Sequence, residues 1–360
     1  MKTTKILIMV VFLIATNSCK EEMPYFNGEI SFYDDFPSTD TLYGKKIEFI
    51  DDIQTGSMIV CDSITLFWSP KYKDYWFLAC NINTGENIGF LCRKGGGPDE
   101  FGLPISAKQF MVDKLWLVDA QTNKMSLLDI PTSIKDNTTI IDTAITMECL
   151  KDFSNSFSYA FILDNNLTLL KPQSELLDMG KPDYLPTAYY IYKEQERLKE
   201  FKLYNKPLIP SYNNAFPGAL ISTNDRIKPD KSKIAMSMSS LSQINILDLN
   251  TGKLNGFRAS KSIDYKDLTA MGRSDIKIYY ACIEVDNHYI FGMYSNKPVE
   301  DELRYFTNEI HLFDWEGKAV KRLIVEHEFD EMALDAKNKK LYMKNLRDEV
   351  YCYDIAYLYN

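Results

Sequence analysis

Beyond residue 25 the chain alternates short apolar runs with polar turns, and sustained helical periodicity is almost absent. One unit recurs: an apolar strand ends in an acid or amide, a tight turn follows, and a second strand leaves it. Leu115–Asp119 turns into Met125–Ile130, and Tyr75–Cys80 is followed by Asn81 and Gly85-Glu86. Ile244–Asp248 is followed by Gly252-Lys253, and Ile310–Asp314 by Gly317-Lys318. Glycine accepts the positive φ that such hairpins need, while the Asn or Asp side chain holds the turn's free amides. Turns near 85, 122, 252 and 317 imply an irregular repeat of roughly 45 to 65 residues with about four short strands each, the pattern of propeller blades. The predicted fold is therefore all-β, a six-bladed β-propeller, with seven short blades as the alternative. Three strands are expected at the C-terminal end: Met332–Asp335, Leu341–Met343 and Val350–Asp354. The N-terminal Ile30–Tyr33 is expected to supply a fourth to that last blade, closing the ring and removing free sheet edges.

The first residues follow another pattern. Lys2 and Lys5 precede an unbroken apolar run, Ile6–Ala15. Ten residues are too few to cross a hydrocarbon core of about 30 Å as a helix, so the run reads as an export signal. No other stretch reaches spanning length. Cys19, four residues beyond the run, resembles the acylated cysteine of the bacterial lipoprotein signal, although Asn17 departs from the small residues usual before it. The resemblance implies a partner in outer-membrane lipid, each buried methylene contributing about 0.8 kcal/mol to anchoring. Lys20-Glu21-Glu22 is similar to the tag that carries Bacteroidetes lipoproteins to the cell surface, with the periplasmic face as the alternative location. The expected organisation is a signal peptide over 1–18, a lipidated tether over 19–28 and one propeller domain over 29–360.

The formal charge of −9 becomes −11 once Lys2 and Lys5 leave with the signal. Such acidity repels nucleic acid, so no nucleic-acid partner is expected. Cys61, Cys80, Cys92, Cys149, Cys282 and Cys352 are scattered singly, without a metal or redox motif. Their apolar neighbours favour buried free thiols, with disulfides as the alternative in an exported chain, Cys80 and Cys92 being nearest in sequence.

Little catalytic chemistry is visible. His288, His311 and His327 form no metal motif and are read as structural. Asp34-Asp35, Asp51-Asp52 and Asp99-Glu100 are adjacent pairs, which point to opposite faces of a strand and read as solvated turns. Asp40-Thr41-Leu42, Asp62-Ser63-Ile64 and Asp142-Thr143-Ala144 resemble O-glycosylation sites of Bacteroidetes exported proteins. The run Gly95-Gly96-Gly97-Pro98-Asp99-Glu100-Phe101 lacks the Gly-Lys-Ser/Thr of a phosphate-binding loop. Gly95 and Gly97 would permit a tight crossing between blades and Pro98 would stiffen it. Glu100 would hold freed amides and Phe101 would pack between sheets. This run resembles that of TolB-like six-bladed propeller lipoproteins of Bacteroidetes, a resemblance that implies the fold and an envelope location. No catalytic, cofactor or metal residue is assigned. The expected function is a lipid-anchored binding module, with a protein or glycan partner at one propeller face. The alternative is a hydrolase or lyase acting on carbohydrate, lactone or peptide, with acids converging on the channel from different blades.

Overall fold

A computed structural model of the chain describes residues 23–50, 53, 56–97, 100–111, 113–119, 121–147, 157–164, 166–172, 188–206, 208 and 220–360. Cys19, Lys20, Glu21, Glu22, Pro98 and Cys149 lie outside the described residues, as do Asp51, Asp52 and Asp99.

Three short strands come first: β1 (Glu29–Tyr33), β2 (Thr39–Leu42) and β3 (Lys45–Ile47). The chain then lays down antiparallel sheets in succession. Blade 1 holds β4 (Met58–Cys61), β5 (Ile64–Trp68), β6 (Tyr75–Asn81) and β7 (Asn87–Arg93). Blade 2 holds β8 (Pro104–Met111), β9 (Lys114–Asp119), β10 (Lys124–Asp129) and β11 (Ile141–Thr146). Blade 3 holds β12 (Phe157–Asp164), β13 (Leu167–Pro172), β14 (Ala188–Lys193) and β15 (Glu196–Lys202). Blade 4 holds β16 (Thr223–Ile227), β17 (Lys233–Met238), β18 (Gln243–Asp248) and β19 (Leu254–Ala259). Blade 5 holds β20 (Lys277–Val285), β21 (Tyr289–Pro298), β22 (Thr307–Asp314) and β23 (Ala319–Phe329). Blade 6 holds β24 (Glu331–Asp335), β25 (Lys340–Lys344) and β26 (Val350–Asp354). The first strand of each blade is innermost, and these strands touch one another around a common axis. The molecule is a six-bladed β-propeller, not a seven-bladed one.

Each blade is covered on both faces, so its middle strands read as continuous apolar runs such as Phe77–Cys80. Phe77, Leu91 and Phe101 pack on Leu115 and Leu117 of the next blade. Phe161, Leu169 and Tyr189 pack on Ile234, Met236 and Leu247. The three predicted glycine turns all join the third strand of a blade to the fourth. Gly85, Gly252 and Gly317 have φ of +75°, +77° and +82°. Asn81 Oδ1 accepts from the amides of Asn83 and Thr84, and Asp248 Oδ1 from those of Asn250 and Thr251. Blade 2 replaces this turn with α1 (Ile130–Asp136), because Asp129 caps its first turn by accepting from Thr132 N and Pro131 presets the helical φ.

Ring closure by an N-terminal strand holds, but the strand differs from the expected one. β3 pairs antiparallel with β26 and completes blade 6. Ile30–Tyr33 instead lies in β1, which adds in parallel to the outer edge of blade 4, while β2 adds in parallel to blade 5. Residues 29–47 thus form a strap over three outer edges. Part of the expected tether is docked as well: Phe26 is buried and bridges Tyr204.

Candidate functional site

The innermost strand of a blade has one edge paired and one facing the axis, so its backbone groups there need partners. Side chains from other blades supply them. Gln109 donates Nε2 to Ile162 O at 2.7 Å and accepts from Ile162 N at 2.9 Å, pairing with β12 as a strand would. Asn224 Nδ2 donates to Tyr280 O, and Met58 N donates to Glu331 Oε1.

Lys108 is the centre of this arrangement. The register of β8 against β9 shifts between Ser106 and Phe110, and Lys108 sits within that bulge at φ +46°. The bulge aims the side chain inward. Its Nζ crosses from blade 2 to Glu284 Oε1 of blade 5 at 2.5 Å and to Glu331 Oε1 of blade 6 at 3.1 Å. A third hydrogen goes to Met332 O at 3.4 Å. Arg226 of blade 4 reaches the same Glu284 oxygen at 3.4 Å. Four charges from four blades therefore close the channel at one level. Burial opposes ionisation of Lys108, Arg226 and Glu284, but opposite charges outweigh it. Lys108 is held above the ordinary lysine value by Glu284 and Glu331, Arg226 is raised by Glu284, and Glu284 is lowered by Lys108 and Arg226. Beside them, burial pushes the Cys282 thiol up to about 11.

Above this floor the ends of the inner strands open into a bowl of about 390 Å³, lined by residues of blades 1, 2, 4, 5 and 6. Its lining carries Asp62, Asp113, Glu284 and Asp335 against Lys108, Arg226, Lys228 and Lys337, so the charges balance. Lys337 pairs with Asp62 at 3.0 Å. Arg226 Nε is buried without a hydrogen-bond partner among the described residues. Phe110 stands in the wall at 38% exposure, with Val285, Leu334 and Pro229 as further apolar lining.

Below the floor, Asp225 of blade 4 accepts from Lys171 Nζ at 2.7 Å and from the Tyr189 hydroxyl at 2.5 Å, both of blade 3. Tyr159 donates to Thr223 O. This buried set fastens two blades and does not line the bowl.

The glycine run lies on the outside, between blades 1 and 2. Gly95 has φ +152°, and a Cβ there would fall 1.9 Å from a Glu100 carboxylate oxygen. Glu100 Oε2 accepts from Gly97 N at 3.0 Å. Phe101 is buried, bridges Lys94 in parallel and accepts from Trp76 Nε1 through its carbonyl. An open groove of about 650 Å³ runs beside it, lined by Tyr75, Phe90, Arg93, Glu100 and Asn137–Thr139.

The histidines are apart from one another. His311 is buried and stacks on Tyr294, its two nitrogens facing Tyr280 OH at 3.2 Å and Glu309 Oε1 at 2.8 Å. Burial lowers its pKa against the pull of Glu309. Among the described residues no three His, Cys, Asp or Glu side chains gather as a metal site. Cys61, Cys92, Cys282 and Cys352 are free thiols. Lys108, Arg226, Glu284 and Glu331 escaped sequence reasoning. The one available signal was a lone charge inside an apolar strand, as at Glu284 in Ala281-Cys282-Ile283-Glu284-Val285.

No family model and no curated protein matches the chain. Solved structures do resemble it in fold. A member of the DUF4221 family from Bacteroides vulgatus superposes with a TM-score of 0.55 at 11% identity, over 88% of this chain and 96% of that one. A Bacteroides fragilis protein described as exported superposes with a TM-score of 0.52 at 12% identity, over 91% of this chain and 98% of that one.

Proposed function

We propose that this protein is an exported, lipid-anchored propeller that binds a small uncharged glycan in the bowl above the Lys108 cluster. The bowl's charge balance carries the reading. With Glu331 in the floor, acids and bases are nearly equal in number, so no ion of one sign is strongly selected, yet they offer donors and acceptors side by side. Sugar hydroxyls both donate and accept, so they suit carboxylates set beside a guanidinium. The exposed Phe110 adds an apolar platform for the C–H face of a sugar ring. The volume lies within the usual range for small-molecule sites, about 300–1,000 Å³.

A catalytic alternative is less well supported. Acids do converge on the axis from blades 5 and 6, but glycosidic acid–base work needs one carboxyl held protonated near neutrality. Glu284 is pushed the other way by Lys108 and Arg226.

Anchoring through Cys19 and display on the outer membrane rest on the N-terminal pattern and on the Lys20-Glu21-Glu22 tag. Among the described residues no helix is long and apolar enough to cross a membrane. The B. fragilis protein described as exported fits an envelope location.

Isothermal titration of the protein with neutral mono- and oligosaccharides tests the reading. Saturable binding that weakens about tenfold or more in Phe110→Ala, from loss of one aromatic contact, is the expected result. Absence of saturable binding across the neutral panel would overturn it.

A further inference from the structure

The two faces of the ring are distinguished by the chain path. The bowl opens where the inner strands end, at Cys61-Asp62, Phe110, Ile227, Val285 and Asp335. In a four-stranded antiparallel blade the outer strand finishes at the other face, where the inner strands begin. β15 is such an outer strand, and the N-terminal segment joins the ring just past its end. Asn205 N donates to Tyr25 O at 2.8 Å, and Asn205 Nδ2 donates to both Pro24 O and Phe26 O at 3.1 Å. Phe26 is sealed in by Tyr204 and by Tyr265, the first residue of α2 (Tyr265–Ala270). The chain is therefore fixed at Pro24, on the face opposite the bowl.

Cys19 precedes Pro24 by five residues, which reach about 17 Å at full extension. The nine-residue inner strand β20 alone spans about 30 Å. The leash is shorter than the ring is tall. We infer that a lipid bilayer lies against the face where the inner strands begin, and that the bowl opens away from the membrane. The inference rests on acylation of Cys19. It assigns the face around Asn205 and α2 as the membrane-proximal surface and leaves the bowl open to ligands arriving from solution.

Full-length acylated protein reconstituted into phosphatidylcholine–phosphatidylethanolamine vesicles with nitroxide-headgroup lipid provides the test. Bimane is attached at Lys266→Cys, exposed on α2, or at Lys337→Cys, exposed on the bowl rim, with the unsubstituted protein as the labelling background. Quenching at position 266 should exceed that at 337 by about threefold or more, given a separation near the height of a blade. Flotation with the vesicles should be lost in Cys19→Ala. Protein that floats but is quenched equally at both positions, or more strongly at 337, overturns the orientation alone. Unsubstituted protein that fails to float overturns the anchor, and the orientation falls with it.

Discussion

Lys108 occupies a left-handed backbone position that non-glycine residues adopt at some cost, and it spends all three ammonium hydrogens on Glu284, Glu331 and Met332 O. Removing one partner of a buried ion cluster leaves the others uncompensated. Lys108→Met keeps the chain length and removes the charge, and it should lower stability at pH 7 by about 3–5 kcal/mol in urea unfolding. The pH dependence distinguishes lost charge from lost packing. In the native protein Glu284 is depressed below its ordinary value, so its contribution is present above that value and is lost as pH falls through the depressed one. In Lys108→Met, Glu284 keeps only Arg226 as a counter-charge against burial, so its value should rise and the variant's deficit should shrink as acid protonates the carboxyl. A deficit that stays constant from pH 7 to pH 4 would mean that packing alone was lost. None of this was legible in Ala107-Lys108-Gln109-Phe110, because the bulge that turns Lys108 inward depends on pairing with β9 and not on local pattern. By contrast, the roles of Asn81, Asp248 and Asp314 could be read directly, since each acts on amides within four residues of itself.

Local chemistry also decides which elements were predictable. The hairpins at Gly85, Gly252 and Gly317 carry their instructions in the turn, whereas the strap does not. β3 is Lys45-Lys46-Ile47, three residues without apolar alternation, held to β26 by its ladder, by the Lys46–Glu349 ion pair at 3.1 Å and by the packing of Ile47. Ile30–Tyr33 has the better strand pattern, yet blade 4 takes it, because a one-sided edge accepts any extended segment of suitable length. What sets the register of β1 is a close approach at its start: a Cβ on Gly28 would lie 2.3 Å from Leu254 O. Gly28→Ala should therefore shift β1 and cost about 1–3 kcal/mol through overpacking. Faster amide exchange confined to β1 and β19 would be its signature, and unchanged exchange there would refute it. The uncovered outer edges obey the same physics from the other direction. β15 reads Glu196-Arg197-Leu198-Lys199-Glu200-Phe201-Lys202, and its density of charge discourages pairing with a second chain.

A ring built blade by blade depends on its seam, the place where residues far apart in sequence must meet. Here that seam is β3 against β26, with Lys45 opposite Cys352. Residues paired across antiparallel strands have Cα atoms about 4.5–5.5 Å apart, inside the range a disulfide accepts. Cys352 is a half-buried free thiol whose pKa burial raises, so it resists oxidation alone but would pair with a thiol placed opposite it. Lys45→Cys should form this bond under mild alkaline oxidation and join the first described strands to the last blade. Cross-linking across nearly the whole chain removes a large loop-closure entropy from the unfolded state, worth about 5–6 kcal/mol in the chain-entropy model. The oxidised variant should therefore unfold at a clearly higher denaturant concentration than the same protein in reductant. The reduced variant should match the parent, because Lys45 is exposed and its removal costs little. If oxidation forms the bond yet leaves the midpoint where it was, the seam is not where unfolding begins, and the weak point must be sought between blades that the strap does not cover.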